Sequence, residues 1–242
     1  MYLCPLSREN LLKLLPSGLE VAEVGVSQGE YSAYLLQSLA PRCLHLIDPW
    51  THQDDPRYQA DVSNYSDEVH QSVWEMVQRR FRPQIEAGQV RLMRELSHEA
   101  VGRFADGQLG VVYVDAVHTR EGALQDLEMF LPKVAEDGFI LGHDYTNHLY
   151  AQRQGFGVVE AVNEFVARHQ LEFLALTSEP WATYVLVRRK SAPAAQQFLA
   201  RLLYNVPGVV ELAGYPAGWR YQQVCNTLNE RQVFVPRFSP AS

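Results

Sequence analysis

Short apolar runs ending in glycine or a polar residue alternate along this chain with longer segments whose apolar residues fall at helical spacing. The runs are LEVAEVG (19–25), CLHLID (43–48), QVRLM (89–93), LGVVYVD (109–115) and GFILGHD (138–144). Between them lie EYSAYLLQSLA, SDEVHQSVWEMVQRRFRPQIEAG, SHEAVGRFADG and TREGALQDLEMFLPKVAEDG. A strand apolar on both faces belongs inside a parallel sheet, and parallel neighbours need crossover connections, which the helical segments supply. After a further helix, FGVVEAVNEFVARH, the runs LEFLALT and WATYVLVRR are joined by SEP alone. That link is too short for a crossover, so these two strands form an antiparallel hairpin. The expected fold is α/β, with a seven-stranded, mostly parallel sheet closed by this C-terminal hairpin and helices on both faces. In open sheets of this kind a ligand sits outside the carboxyl ends of the strands, where the strand order reverses.

The 242 residues, 47% of them hydrophobic, suffice for one large domain with an appendage. Residues 1–190 read as the domain and 191–242 as a C-terminal extension. Within the extension AAQQFLARLLYN has helical spacing, while VPGVVELAGYPAG and VFVPRFSP suit an oligomerisation arm or a substrate cap. A polar, aromatic, turn-rich insertion at about 49–67 exceeds the usual α/β connection and reads as a lid. The net charge is −7, with no block of Lys and Arg, which disfavours nucleic acid as a partner. Cys4, Cys43 and Cys225 are odd in number and lack a C-x-x-C spacing, so neither a disulfide framework nor a zinc knuckle is indicated. No run has the length a bilayer requires. These features describe a soluble, cytoplasmic protein, free of membrane, with a homo-oligomer left open.

The chemistry starts at EVGVSQGEYS (23–32). Gly25 and Gly29 follow a strand and open a helix, allowing a tight turn and a close approach of ligand to backbone. Ser27 stands where a dinucleotide fingerprint has glycine, and Glu23 precedes the loop. An acid there repels a pyrophosphate and favours a cationic group. Asp48 ends the next strand 25 residues on, the place of a ribose-binding carboxylate. An ammonium and a ribose together describe S-adenosylmethionine.

The segments EVGVSQGEYS, HLIDPW, RELSHEAVGRFADGQLGVVYVDAVHTREGALQDLEMFLPKVAEDGFILGHDY and GFGVVEAVNEFV resemble the class I S-adenosylmethionine-dependent methyltransferases, in particular their small-molecule O-methyltransferase-like subgroup (family 24-like). The resemblance covers about residues 19–189 and implies a Rossmann-like fold. It further implies that Gly25 and Gly29 line the methionine moiety, that Asp48 holds the ribose hydroxyls, and that Trp50 packs beside the adenosine. By the same resemblance Ser97 closes over the adenine, and Asp115 lies beside the methionine amino group and the transferred methyl.

His118, His143, Asp115 and Asp144 are the candidates for a base that takes the acceptor's proton. Histidine is favoured because its ordinary pKa leaves it neutral near pH 7. The alternative for His118 is a loop histidine bonded to Asp126 or Glu121. Some related methyltransferases hold a divalent metal with a fourth-strand Asp and a D-D or D-N pair after the fifth strand; here Asp115, His143 and Asp144 would form a mixed nitrogen and oxygen site. The other readings of His143 and Asp144 are that they hold the acceptor hydroxyl directly, with no ion, or that they satisfy strand-end backbone groups. Tyr145, Tyr150 and Arg153 are candidate substrate walls. The expected activity is methyl transfer to a hydroxyl, less favourably an amine, of a small molecule such as a sugar or a biosynthetic intermediate. Its competitors are a nicotinamide-dependent oxidoreductase and a non-catalytic S-adenosylmethionine-binding module.

Overall fold

The computed structural model of the protein describes residues 1–55 and 64–241. The chain opens with β1 (Tyr2–Cys4) and α1 (Arg8–Leu12), followed by β2 (Glu20–Val24), α2 (Glu30–Leu39) and β3 (Cys43–Ile47). Helices α3 (Asp67–Arg80) and α4 (Arg82–Glu86) lead to β4 (Val90–Met93), and α5 (Ser97–Ala100) leads to β5 (Leu109–Val114). Then come α6 (Arg120–Phe130), β6 (Val134–Gly142), α7 (Leu149–Arg153), α8 (Val158–His169), β7 (Glu172–Thr177) and β8 (Tyr184–Val187). The C-terminal part holds α9 (Pro193–Asn205), β9 (Val210–Glu211), β10 (Trp219–Leu228) and β11 (Arg231–Pro240).

The main sheet runs β4-β3-β2-β5-β6-β8-β7-β1-β9. Strands β2 to β8 are the seven read from the sequence, and among them β8 alone runs against its neighbours β6 and β7. The order reverses at β2: the chain first steps outward through β3 and β4, then returns to the other side of β2 as β5. β1 and β9 extend the sheet past β7, β1 parallel to β7 and β9 antiparallel to β1.

Alternation along the strands feeds two cores. In β5, Val112 and Val114 face one layer, where they meet Leu127 and Phe130 of α6 and Val162 and Phe165 of α8. Val111 and Tyr113 face the other, with Leu35 of α2, Val77 of α3 and Phe198 and Leu202 of α9. Burial of each such side chain contributes about 1.5–3 kcal/mol.

The C-terminal residues join both layers. α9 packs into the second through Phe198, Leu199 and Leu202, and Tyr215 and Tyr221 pack into the first. β10 and β11 form a separate antiparallel ribbon. Its buried Gln223 accepts from Thr146 and donates to the Glu179 carbonyl at 3.0 Å, tying the segment after β6 to the β7–β8 turn. The lid expected at 49–67 lies partly outside the described residues; of what is described, Thr51 and His52 hydrogen-bond Asp67, each at 2.8 Å, and Gln53 bonds Asn64.

Candidate active site

At the reversal point the carboxyl ends of β2 and β5 come into close contact. Gly25 has φ +87°, and a Cβ there would lie 2.0 Å from the Asp115 carbonyl oxygen. Only glycine allows the two strand ends to approach so closely. Backbone bonds continue the ladder past the strands: Asp115 donates to Val24 at 2.8 Å, and His143 donates to Val114 at 3.1 Å. The backbone therefore satisfies itself here, and the side chains of Asp115 and His143 are left to face a cavity of about 640 Å³. Glu23, Gly25, Asp48, Trp50, Ser97, Asp115, His118, His143 and Asp144 all line it. Gly29, with φ +71°, begins α2 just behind the cavity; a Cβ there would lie 2.9 Å from the Phe81 ring.

At the β2 and β3 end, Asp48 organises the loop. One carboxylate oxygen accepts from the amides of Val26 at 3.0 Å and Ser27 at 2.9 Å, and the other from Trp50 at 2.8 Å. Burial raises the Asp48 pKa, against the lowering effect of those amides. Trp50 stands in the cavity wall. Its side chain is fully buried, donates to the Ser27 carbonyl at 2.9 Å and packs on Trp74, so it braces the loop from behind. Ser27 and Trp50 have φ of +50° and +42°, backbone strain that these bonds hold in place. Glu23 is buried and accepts from the Ser32 hydroxyl; burial pushes its carboxyl up to about 8. Ser97 starts α5 on the far wall. Nε2 of His70, another lining residue, is buried with no hydrogen-bond partner among the described residues.

At the β5 and β6 end, four titratable side chains meet. His118 Nε2 lies 2.9 Å from Asp144 Oδ2 and 3.6 Å from Asp115 Oδ1. The 2.9 Å contact is an ion pair whose N–H is not aligned for a good hydrogen bond. His143 Nδ1 lies 3.1 Å from Asp144 Oδ1 and 3.8 Å from Asp115 Oδ2. Burial alone would depress both histidines, but the two carboxylates outweigh it and raise His118 to about 10 and His143 above its ordinary value. Although burial opposes ionisation, the two histidines hold Asp144 well below the usual carboxylate range. His118 is therefore an imidazolium at neutral pH, unlike the neutral histidine expected from its ordinary pKa. Its partners are Asp115 and Asp144, not Asp126 or Glu121. Ligand atoms of Asp115, His118 and Asp144 lie within 4.8 Å of one another; this group has His118 where the sequence reading has His143.

Local structure fixes these positions. Thr119 caps α6 by accepting from Gly122 at 3.2 Å, which ends the loop carrying His118. The Gly157 amide donates to the His118 carbonyl at 2.8 Å, and the Phe156 ring stacks on the His118 ring at 4.6 Å. Trp181, from the β7–β8 turn, contacts Phe156 at 5.4 Å.

Phe156, Trp181 and Arg8 line the cavity without having been picked out from the sequence. Phe156 lies within the recognisable GFGVVEAVNEFV segment, so a signal was available for it; the N-terminal position of Arg8 gave none. Tyr145, expected as a substrate wall, is instead fully buried, with its hydroxyl between Tyr215 and Asn163. Tyr150 is exposed and receives a bond from Gln232.

The model of a methyltransferase-domain family matches residues 22–145, just over half the chain. The chain belongs to this methyltransferase family. The methyltransferase is S-adenosylmethionine-dependent, and its family is not one of nicotinamide-dependent oxidoreductases. Among solved structures it is similar to a candidate rRNA methylase from Clostridium thermocellum (14% identity, TM-score 0.52, 74% of this chain and 92% of that one). It is also similar to spermidine synthase from Thermotoga maritima (12%, 0.51, 84% and 64%). A third is a candidate methyltransferase from Streptococcus mutans in complex with S-adenosylhomocysteine (10%, 0.50, 74% and 93%). At these identities the likeness is one of fold. Comparison with curated proteins gives no significant match. Among the described residues of the methyltransferase, no helix is long and apolar enough to cross a membrane.

Proposed function

We propose that this methyltransferase acts on a hydroxyl group of a small molecule such as a sugar or a biosynthetic intermediate. The observation that carries the reading is one continuous cavity lined both by Glu23 and Asp48 and by the Asp115, His118, His143 and Asp144 cluster. Its donor set suits the cofactor: Glu23 for an ammonium, Asp48 for ribose hydroxyls, the unpartnered His70 Nε2 and Ser97 toward the base. The volume is that of a small-molecule site.

When bound, S-adenosylmethionine supplies a methyl group already activated on a sulfonium. The chain's work is then to align the acceptor and remove its proton. Alignment provides on the order of 7–11 kcal/mol. A hydroxyl oxygen that is gaining a carbon substituent becomes strongly acidic, so a carboxylate is base enough to take its proton. Asp115 fills that role, while Asp144, engaged by His118 and His143 at 2.9 and 3.1 Å, holds the two histidines beside it.

Charge also favours hydroxyl over amine. The two carboxylates face the cationic His118, His143 with its raised pKa, and Arg8, 3.3 Å from Asp115. Little negative potential is left over to attract an ammonium acceptor. A nucleic-acid acceptor is disfavoured by the net charge of −7 and by six acids in the cavity wall.

A second reading places a divalent cation on Asp115 and Asp144 with His118 or His143, favoured by the 4.8 Å grouping of ligand atoms. Such an ion would acidify an acceptor hydroxyl. Methyl transfer from radiolabelled S-adenosylmethionine to matched panels of hydroxyl and amine acceptors, with and without EDTA, tests both readings. Labelling of amines alone contradicts the first, and activity indifferent to EDTA contradicts the second.

A further inference from the structure

The cavity wall contains six carboxylates, yet among the described lining residues Arg8 is the single Arg or Lys. S-Adenosylmethionine and its product each carry an α-carboxylate; His118 and His143 are already engaged by Asp144 at 2.9 and 3.1 Å, which leaves Arg8 as the cation of the wall that can receive it. The guanidinium is fixed from several sides. Ser7 caps α1, the Arg8 amide donates to Glu179 at 3.3 Å, and the side chain lies over the Tyr31 ring at 4.5 Å. Nη1 lies 3.4 Å from the Tyr113 hydroxyl and 3.3 Å from Asp115 Oδ2, while Nε lies 3.5 Å from Glu9. These contacts leave Nη2 without a polar partner among the described residues, on a side chain 27% exposed.

We propose that Arg8 binds the α-carboxylate of the cofactor, completing with Glu23 and Asp115 a subsite for a zwitterionic amino acid. Glu23 feels the Arg8 charge directly, which places the acid for the ammonium and the cation for the carboxylate at the same end of the cavity. The fixed, planar fork of a guanidinium suits a carboxylate, whereas a lysine would present a single point charge. The inference rests on the cofactor occupying this cavity as described under Proposed function.

The test compares two ligands by calorimetry: S-adenosylhomocysteine, and its decarboxylated analogue, which keeps the adenosine, thioether and ammonium. Arg8→Met is expected to weaken S-adenosylhomocysteine about 10- to 100-fold while leaving the analogue within about twofold of wild type. Arg8→Lys, which retains the charge and serves if the Met variant does not fold, is expected to lose about tenfold for the first ligand and nothing for the second. Equal losses for both ligands would reduce Arg8 to a prop for Asp115 and overturn the proposal, and so would unchanged binding of S-adenosylhomocysteine. Wild-type protein that binds neither ligand removes the cofactor reading itself, and this proposal with it.

Discussion

His118 Nε2 sits 2.9 Å from Asp144 Oδ2, and the pair links the loop after β5 to the loop after β6. Asp144 holds a left-handed backbone, φ +57°, to make the contact. With its pKa raised to about 10, His118 is charged before any acceptor arrives, and it acts by holding the carboxylates. His118→Gln is therefore expected to leave S-adenosylhomocysteine affinity within a few-fold of wild type and to lower turnover by about 10², the cost of a misplaced reacting group. Steady-state kinetics with calorimetry on the same preparation checks both halves.

Glu23 gives a pH signature. Its carboxyl ordinarily titrates near 4.5, and burial pushes it up to about 8 in the folded chain. Between those values the folded state binds more protons than the unfolded state, so this group's contribution to stability is full below pH 4.5 and is lost as pH rises to 8. A ligand ammonium beside Glu23 favours the ionised form, so binding at neutral pH releases a proton. S-Adenosylhomocysteine affinity should rise between pH 6 and 8 by up to about tenfold per unit, and Glu23→Gln should flatten the dependence. Titrations in buffers of differing ionisation enthalpy read the proton release directly.

Gln223 tests whether the C-terminal ribbon supports the acceptor side. Gln223→Ala would leave the Thr146 hydroxyl and the Glu179 carbonyl without this buried partner, at a cost of about 1–3 kcal/mol each. The urea midpoint should fall with the m-value unchanged, while S-adenosylhomocysteine binding persists, because the ribbon bonds Thr146, Asn147, Tyr150 and Glu179, on the acceptor side of the site.

The seven central strands were legible because each is a continuous apolar run between helical segments, and the SEP link forced the final hairpin. β1 and β9, three and two residues long, are too short to carry an alternation. The reversal point was legible through Gly25 and Asp48, whose chemistry is local. What escaped depends on contacts distant in sequence. The pKa of His118 is raised by Asp115, three residues away, and also by Asp144, 26 residues away, and Arg8 reaches Asp115 across 107 residues. Tyr145 looked like a pocket wall because it follows a strand end, but the core and a C-terminal tyrosine claim its side chain.

The central claim is that the cofactor lies between Glu23, Asp48 and Asp115, on a loop that Asp48 holds through three backbone amides. Calorimetry of S-adenosylhomocysteine against wild type and Asp48→Ala tests it most directly. Losing three charge-assisted bonds of about 1.5–3 kcal/mol each, the variant should bind at least a hundredfold more weakly, while wild type binds one equivalent. Equal affinity in the two proteins, or no binding to wild type, would contradict the account.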